Sequence, residues 1–222
     1  MKENEILIII GVFLFFANKI FTITSKIPIK PYYNNINILP EAITIKNNFN
    51  VFREEIKDLY KNFKTIKNDM YFNDITKYEW EWSRLYLKWF NHDDKIGMDL
   101  CPNSYKLINS MKNIKIAMFS VLKPHAKILP HRGPYKGCIR LHMGLITPNS
   151  DDCFINLDGK NYSWRDGEVI LLDDSYIHYV ENNTDEYRVI LFCDIIRPMN
   201  NIGNLVNNFF IDNLAKYTER GN

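Results

Sequence analysis

Residues Ile6–Ala17 read ILIIIGVFLFFA without a charge, and IFTI after Asn18 and Lys19 carries the apolar run to Ile23. A bilayer crossing needs about 20 apolar residues. Lys19 sits near one end, where its long side chain can return to the interface. Residues 1–23 are therefore expected to form a membrane anchor; a short helix buried at the start of the domain fits the same run. No A-x-A-like cleavage site follows, which favours retention over removal as a signal peptide. Lys2 precedes the run, and Lys19, Lys26 and Lys30 follow its core. That slight excess predicts a cytoplasm-facing domain.

Residues 24–40 hold Pro28, Pro31 and Pro40 among polar positions, a pattern that predicts an extended linker. The folded domain is then expected over 41–222. Phe52, Ile56, Leu59, Phe63 and Ile66 recur at helical spacing and predict an amphipathic helix over Val51–Ile66. The aromatic segment Trp80–Phe90 is expected to be core. After Asn113 the period shortens. Short runs predict strands at Ile114–Val121, Ile139–Ile146, Cys153–Asn156, Tyr162–Trp164, Glu168–Leu172, Tyr176–Val180 and Arg188–Ile195. Turn pairs such as Gly133-Pro134, Asp158-Gly159 and Asp166-Gly167 separate them. Phe209, Phe210, Leu214 and Tyr217 predict a closing helix, too polar to span a membrane. The fold class is mainly β with flanking helices: an antiparallel sandwich or barrel with one hydrophobic face covered by helices.

Composition narrows the function classes. A hydrophobic content of 46% over 222 residues is enough for a real core and excludes a disordered chain. The formal charge of +2 is nearly balanced and its basic residues are scattered, which argues against a nucleic-acid partner. Cys101, Cys138, Cys153 and Cys193 form no CxxC pair, so neither a zinc site nor a dense disulfide framework is expected.

Five histidines remain as candidate chemistry: His92, His125, His131, His142 and His178. Neutral imidazole is the commonest metal ligand. Iron(II) oxygenases usually use two histidines and one carboxylate, leaving open positions for co-substrate and O2. His131 and His178 fit the two-strand layout of such a site in a jelly roll. Arg188, on the following strand, could grip a carboxylate in the same cavity. Yet Gly133 stands where the acid is expected, and by spacing alone these residues could equally be ordinary core or surface positions. His92 and His125 are expected at the surface, and Asp173-Asp174 is expected to be a turn or to support the site from behind.

From Ile116 to Pro198 the chain resembles the aspartyl/asparaginyl β-hydroxylase family. The matching words are FSVLKPHAKILPHRGPYKGCIRLHMGLITP, CFINLDGKNYSWRDGEVILLDDSYIHYVENNT and RVILFCDIIRP, with looser likeness in WSRLYLKWF and CPNSYKLI. YSWRDGE and ILFCDIIRP are similar to the lipid A 2-hydroxylase branch. The resemblance implies a double-stranded β-helix (jelly-roll, cupin-like) core and a dioxygenase dependent on iron(II), 2-oxoglutarate and O2. It implies His131 and His178 as metal ligands. Arg188 and Ser120 would hold 2-oxoglutarate, and Arg140 and His142 would line the co-substrate and substrate carboxylates. Trp82 matches an aromatic residue near the site. In the peptide-hydroxylating branch a glycine replaces the carboxylate ligand, as Gly133 does here.

That glycine places Asp or Asn side chains of a protein first as substrate. The distal words and the anchor favour a lipid acyl chain as the alternative. A module that kept the fold but lost the chemistry would show no iron-dependent turnover.

Overall fold

The computed structural model describes residues 3–60 and 82–218. Its larger sheet has seven strands, in the order β1 (Tyr32–Tyr33), β9 (Val169–Leu172), β6 (Cys138–Ile146), β11 (Arg188–Ile196), β4 (Ile114–Leu122), β2 (Trp82–Trp89) and β3 (His92–Asp93). The smaller sheet has four, in the order β5 (Lys127–His131), β10 (His178–Asn182), β7 (Cys153–Leu157) and β8 (Lys160–Ser163). The named pairings are antiparallel. This is the expected mainly β, cupin-like core with flanking helices.

Side chains alternate across a strand, and here the alternation separates two cores. Ile139, Leu141, Met143 and Leu145 of β6 join Val189, Leu191, Cys193 and Ile195 of β11 in the outer core. Residues from three helices cover it: α2 (Pro40–Asn47), α3 (Phe49–Tyr60) and α5 (Pro102–Ser110). Phe52 and Ile56, one turn apart on α3, are fully buried there. The intervening strand positions face the smaller sheet. Met118 and Leu122 of β4, Ile190 and Phe192 of β11, and Ile155 of β7 form the inner core between the sheets. Polar residues in the same register, Ser120, Arg140, His142 and Arg188, are carried into that interior by strand period alone.

The sequence boundaries shift in physically informative ways. The helix expected over Val51–Ile66 runs Phe49–Tyr60, and residues 61–66, like Trp80 and Glu81, lie outside the described residues. A short helix α4 (Lys95–Leu100) and α5 were not expected. The Asp94 side chain caps the first through Gly97 N at 2.8 Å, and Pro102 starts the second at a position that needs no N–H donor. The strand expected over Tyr176–Val180 begins at His178, because Asp173 closes a turn by accepting from Ser175 N and Oγ.

Residues 24–40, expected as a linker, are extended but stitched into the domain. Tyr32 and Tyr33 pair with Leu172 and Leu171. Lys26 N donates to Pro198 O at 2.8 Å, Asp173 N donates to Pro31 O at 2.9 Å, and Tyr33 and Leu39 are buried. The prolines set an extended path, and the buried aromatic and aliphatic side chains bind that path to the sheet.

The apolar run forms α1 (Glu3–Thr24), long and apolar enough over Leu7–Thr24 to cross a membrane. Ile10, Leu14, Ala17 and Phe21 make a buried stripe against the domain, while Ile8, Val12, Phe15 and Phe16 are exposed. The expected closing helix is α6 (Asn201–Phe209), continued by a wider turn over Phe210–Leu214.

Candidate active site

Antiparallel pairing of β5 with β10 sets His131 directly opposite His178. Their ring centroids are 4.2 Å apart. Nδ1 of His131 lies 2.7 Å from Leu129 O, and Nδ1 of His178 lies 2.9 Å from Tyr176 O. A carbonyl only accepts, so Nδ1 carries the proton in both rings and each Nε2 keeps its lone pair. The backbone two residues upstream thus fixes the tautomer that a metal ligand needs. Burial lowers the pKa of both groups, that of His178 to about 3 with the neighbouring His131 adding to the effect, so both rings are neutral at physiological pH.

The pocket beside these rings collects residues from β2, β4, β6 and β11. Ser120, Arg140, His142, Arg188 and Trp82 line it together with His131 and His178. Its remaining wall is apolar: Ile128, Ile155, Leu172, Val180, Ile190 and Phe192. His131, His178, Arg188, Ser120, Arg140, His142 and Trp82, the residues given an expected place in the site, therefore line one cavity.

Their electrostatic states differ sharply. Arg188 is 2% exposed, and its Nε and Nη2 have no hydrogen-bond partner among the described residues. Its guanidinium lies 4.7 Å from the Trp164 ring centroid, a cation–π contact. Burial lowers its pKa to about 10, which still leaves it charged at neutral pH. Both ring nitrogens of His142 are likewise buried without a partner among the described residues, and burial first, then Arg140 and Arg188, depress its pKa. A buried cation and a buried imidazole left unsatisfied in one pocket make a ready anion site, since uncompensated burial is costly. Ser120 Oγ accepts from Trp82 Nε1 at 2.8 Å, which leaves its hydroxyl proton to donate.

Arg140 is committed elsewhere. Its Nε and Nη2 donate to Asp194 Oδ1 and Oδ2, each at 2.9 Å, and its Nη1 lies 2.7 Å from Asp174 Oδ2. Arg140 was expected to line the co-substrate and substrate carboxylates; instead its Nε, Nη1 and Nη2 are taken up by Asp194 and Asp174, two carboxylates beside the histidines that it neutralises. Burial raises the pKa of Asp174 even against the pull of Arg140.

Asp174 also explains Gly133. Gly133 N donates to Asp174 O at 2.8 Å, and a Cβ at Gly133 would fall on the Asp174 carboxylate, closer than 3.0 Å. The space where a side-chain carboxylate would start from residue 133 is filled by a carboxylate from the β9–β10 turn. The sequence offers Asp173-Asp174 as a turn or as a support for the site, without dividing the pair. Asp173 is 1% exposed and bridges Arg197 Nη2 at 2.5 Å, while Asp174 turns toward the site. Among the described residues no group of three or more His, Cys, Asp or Glu is placed to hold a metal ion. The donor set on offer is the two-imidazole pair. His125 sits at the surface beside Asp185 at 2.9 Å, and His92 is exposed, as expected.

Residues 46–198 match the family model described as aspartyl/asparaginyl beta-hydroxylase. The chain belongs to the aspartyl/asparaginyl β-hydroxylase family. Among its relatives is an ornithine lipid ester-linked acyl 2-hydroxylase of Rhizobium tropici, 29% identical over 208 residues, covering 87% of this chain and 70% of that protein. Human aspartate beta-hydroxylase domain-containing protein 2 is 28% identical over 183 residues, covering 78% of this chain. The chain spans 48% of that protein's length. Among solved structures, a prolyl-4-hydroxylase of Pseudomonas putida aligns with a TM-score of 0.44 and 13% identity, covering 75% of this chain and 92% of that one. The chain combines membership of a hydroxylase family with a core of two antiparallel β-sheets and an N-terminal helix long and apolar enough to cross a membrane.

Proposed function

We propose that the protein is an iron(II)- and 2-oxoglutarate-dependent hydroxylase. The carrying observation is the pairing of two tautomer-fixed imidazoles with an unpartnered buried arginine in one pocket. His131 and His178 would hold the metal through Nε2. Bound iron would supply O2 activation and hydroxylation of an unactivated C–H, coupled to conversion of 2-oxoglutarate to succinate and CO2.

The chain's own residues do the positioning. Arg188 and the Ser120 hydroxyl would grip the far carboxylate of 2-oxoglutarate, with Trp164 in cation–π contact with the guanidinium. His142, neutral and beside them, adds a second polar contact. Arg140 offsets Asp174 and Asp194, keeping net negative charge next to the histidines low. Ile155, Ile190 and Phe192 exclude water from the reacting face.

For the substrate we favour a membrane lipid acyl chain over the Asp or Asn side chain that Gly133 first suggested. Three observations support that order. One part of the pocket wall, Ile128, Ile155, Leu172, Val180, Ile190 and Phe192, is apolar, α1 packs against the domain, and the likeness to the Rhizobium acyl hydroxylase runs over most of the chain. The peptide reading rests on the family and on Gly133. Succinate formation from 2-oxoglutarate by the full chain with iron(II) and O2 tests the chemistry. Stimulation by ester-linked acyl lipids, and not by Asp- or Asn-containing peptides, is the expected outcome. Stimulation by peptides alone would reverse the substrate order, and no succinate with any substrate would remove the enzymatic reading.

A further inference from the structure

α1 does not leave the domain as a lone tether. Its stripe Ile10, Leu14, Ala17 and Phe21 is buried, and Phe13 packs against Phe209 and Phe210 at centroid distances of 5.7 and 6.0 Å. Its outward face is also apolar, with Phe16 59% exposed. α6 continues that face. Ile202, Leu205 and Phe209 follow at helical spacing and all point to solvent, Leu205 being 71% exposed. No charged residue occurs from Met199 to Ile211; the polar positions of α6 are all asparagine. A soluble helix would be expected to set charges there. A contiguous exposed apolar surface of this kind marks an interaction site, and an uncharged amphipathic stripe beside an all-apolar helix suits the headgroup–acyl boundary. Lys19, whose Nζ lies 4.4 Å from the Phe15 ring centroid, places a cation along the same face where it can reach lipid headgroups.

The same two helices grip the loop that follows His131. Asn18 Nδ2 donates to Pro134 O at 2.8 Å, and Lys136 N donates to Asn18 Oδ1 at 2.9 Å. Asn207 Nδ2 donates to Gly137 O at 3.0 Å, and the Tyr135 ring packs on Phe210 at 4.7 Å and on Phe21 at 5.9 Å. The loop runs from a proposed metal ligand to β6, which carries Arg140 and His142.

We infer that α1 and α6 together form one bilayer-docking surface, which seats the catalytic domain on the membrane and holds the 132–137 loop beside the lipid. This rests on the membrane reading of α1 and assigns α6, which is too polar to span, to the interface. The occupant is a lipid bilayer, the source of an acyl substrate.

The test places single fluorophores on the full chain. The native cysteines are buried, so Leu205→Cys and, on the far side of the larger sheet, Lys106→Cys accept label selectively. Each labelled protein is mixed with phosphatidylcholine vesicles, some carrying brominated acyl chains. The surface predicts co-sedimentation of both proteins, with most of the fluorescence lost at position 205 and none at 106. Co-sedimentation without quenching at 205 would make α1 a lone tether and overturn the role of α6 while leaving α1 as an anchor. Failure to co-sediment would overturn the membrane reading as well. Shielding of position 205 without lipid, in a protein that forms dimers, would assign the face to a second copy. Succinate formation by the same samples reports the enzymatic reading separately.

Discussion

A side chain at Gly133 and the carboxylate of Asp174 exclude one another: a Cβ on Gly133 would overlap the Asp174 carboxylate. The position that usually supplies an acidic ligand is therefore closed by an acid from another turn, itself held by Arg140 at 2.7 Å. Gly133→Asp should not build a stronger metal site. It should weaken iron(II) binding by at least about 10-fold, on the scale of changes that disturb ligand support. The double variant Gly133→Asp with Asp174→Ala should recover binding, because the obstructing carboxylate is gone. Metal titration of the two variants checks this; tighter binding by the single variant would contradict it.

Either proposed ligand should be indispensable. His131→Ala and His178→Ala should each lower metal affinity by more than the roughly 10–100-fold typical of losing a supporting group. A far-ultraviolet spectrum unchanged from the parent protein would show that the fold survives, as expected for side chains at strand ends.

Arg188→Ala should spare metal binding and weaken 2-oxoglutarate. A hydrogen bond to a charged group is worth about 1.5–3 kcal/mol, or roughly 10- to 150-fold in Kd. Arg188→Lys should recover little, because a point charge cannot reproduce the planar fork above Trp164. Competitive displacement by a dicarboxylate measures both.

The Arg197–Asp173 pair, 0% and 1% exposed, ties the residue just after β11 to the turn before His178 and also contacts Tyr33. Asp173→Ala leaves a buried guanidinium unpaired and should cost about 3–5 kcal/mol of stability. Lys127→Ala, which breaks a surface pair with Glu181, should cost at most about 1 kcal/mol. Denaturant midpoints distinguish the two.

How much of this was legible in the sequence depended on the scale of the signal. Runs of β-branched and aromatic residues marked β4, β6 and β11, while the placing of Ser120, Arg140 and His142 toward one cavity came from the family resemblance. β5, which carries His131, was missed because it is short and contains Pro130. Residues 24–40 carry the prolines of a linker, and only the buried Tyr33 and Leu39 set them apart from one. α1 is apolar all round, so no period in the sequence distinguishes the stripe that packs from the face left open. The part played by Asp174 beside Gly133 is set by a turn between distant strands, which no local pattern records.

The most direct measurement of the central claim is equilibrium binding of 2-oxoglutarate to the full chain under anaerobic conditions, with and without iron(II). The account predicts saturable binding that needs the metal, is lost in His178→Ala and is weakened roughly 10- to 150-fold in Arg188→Ala. Binding that is indifferent to iron, or that survives in His178→Ala, would contradict it.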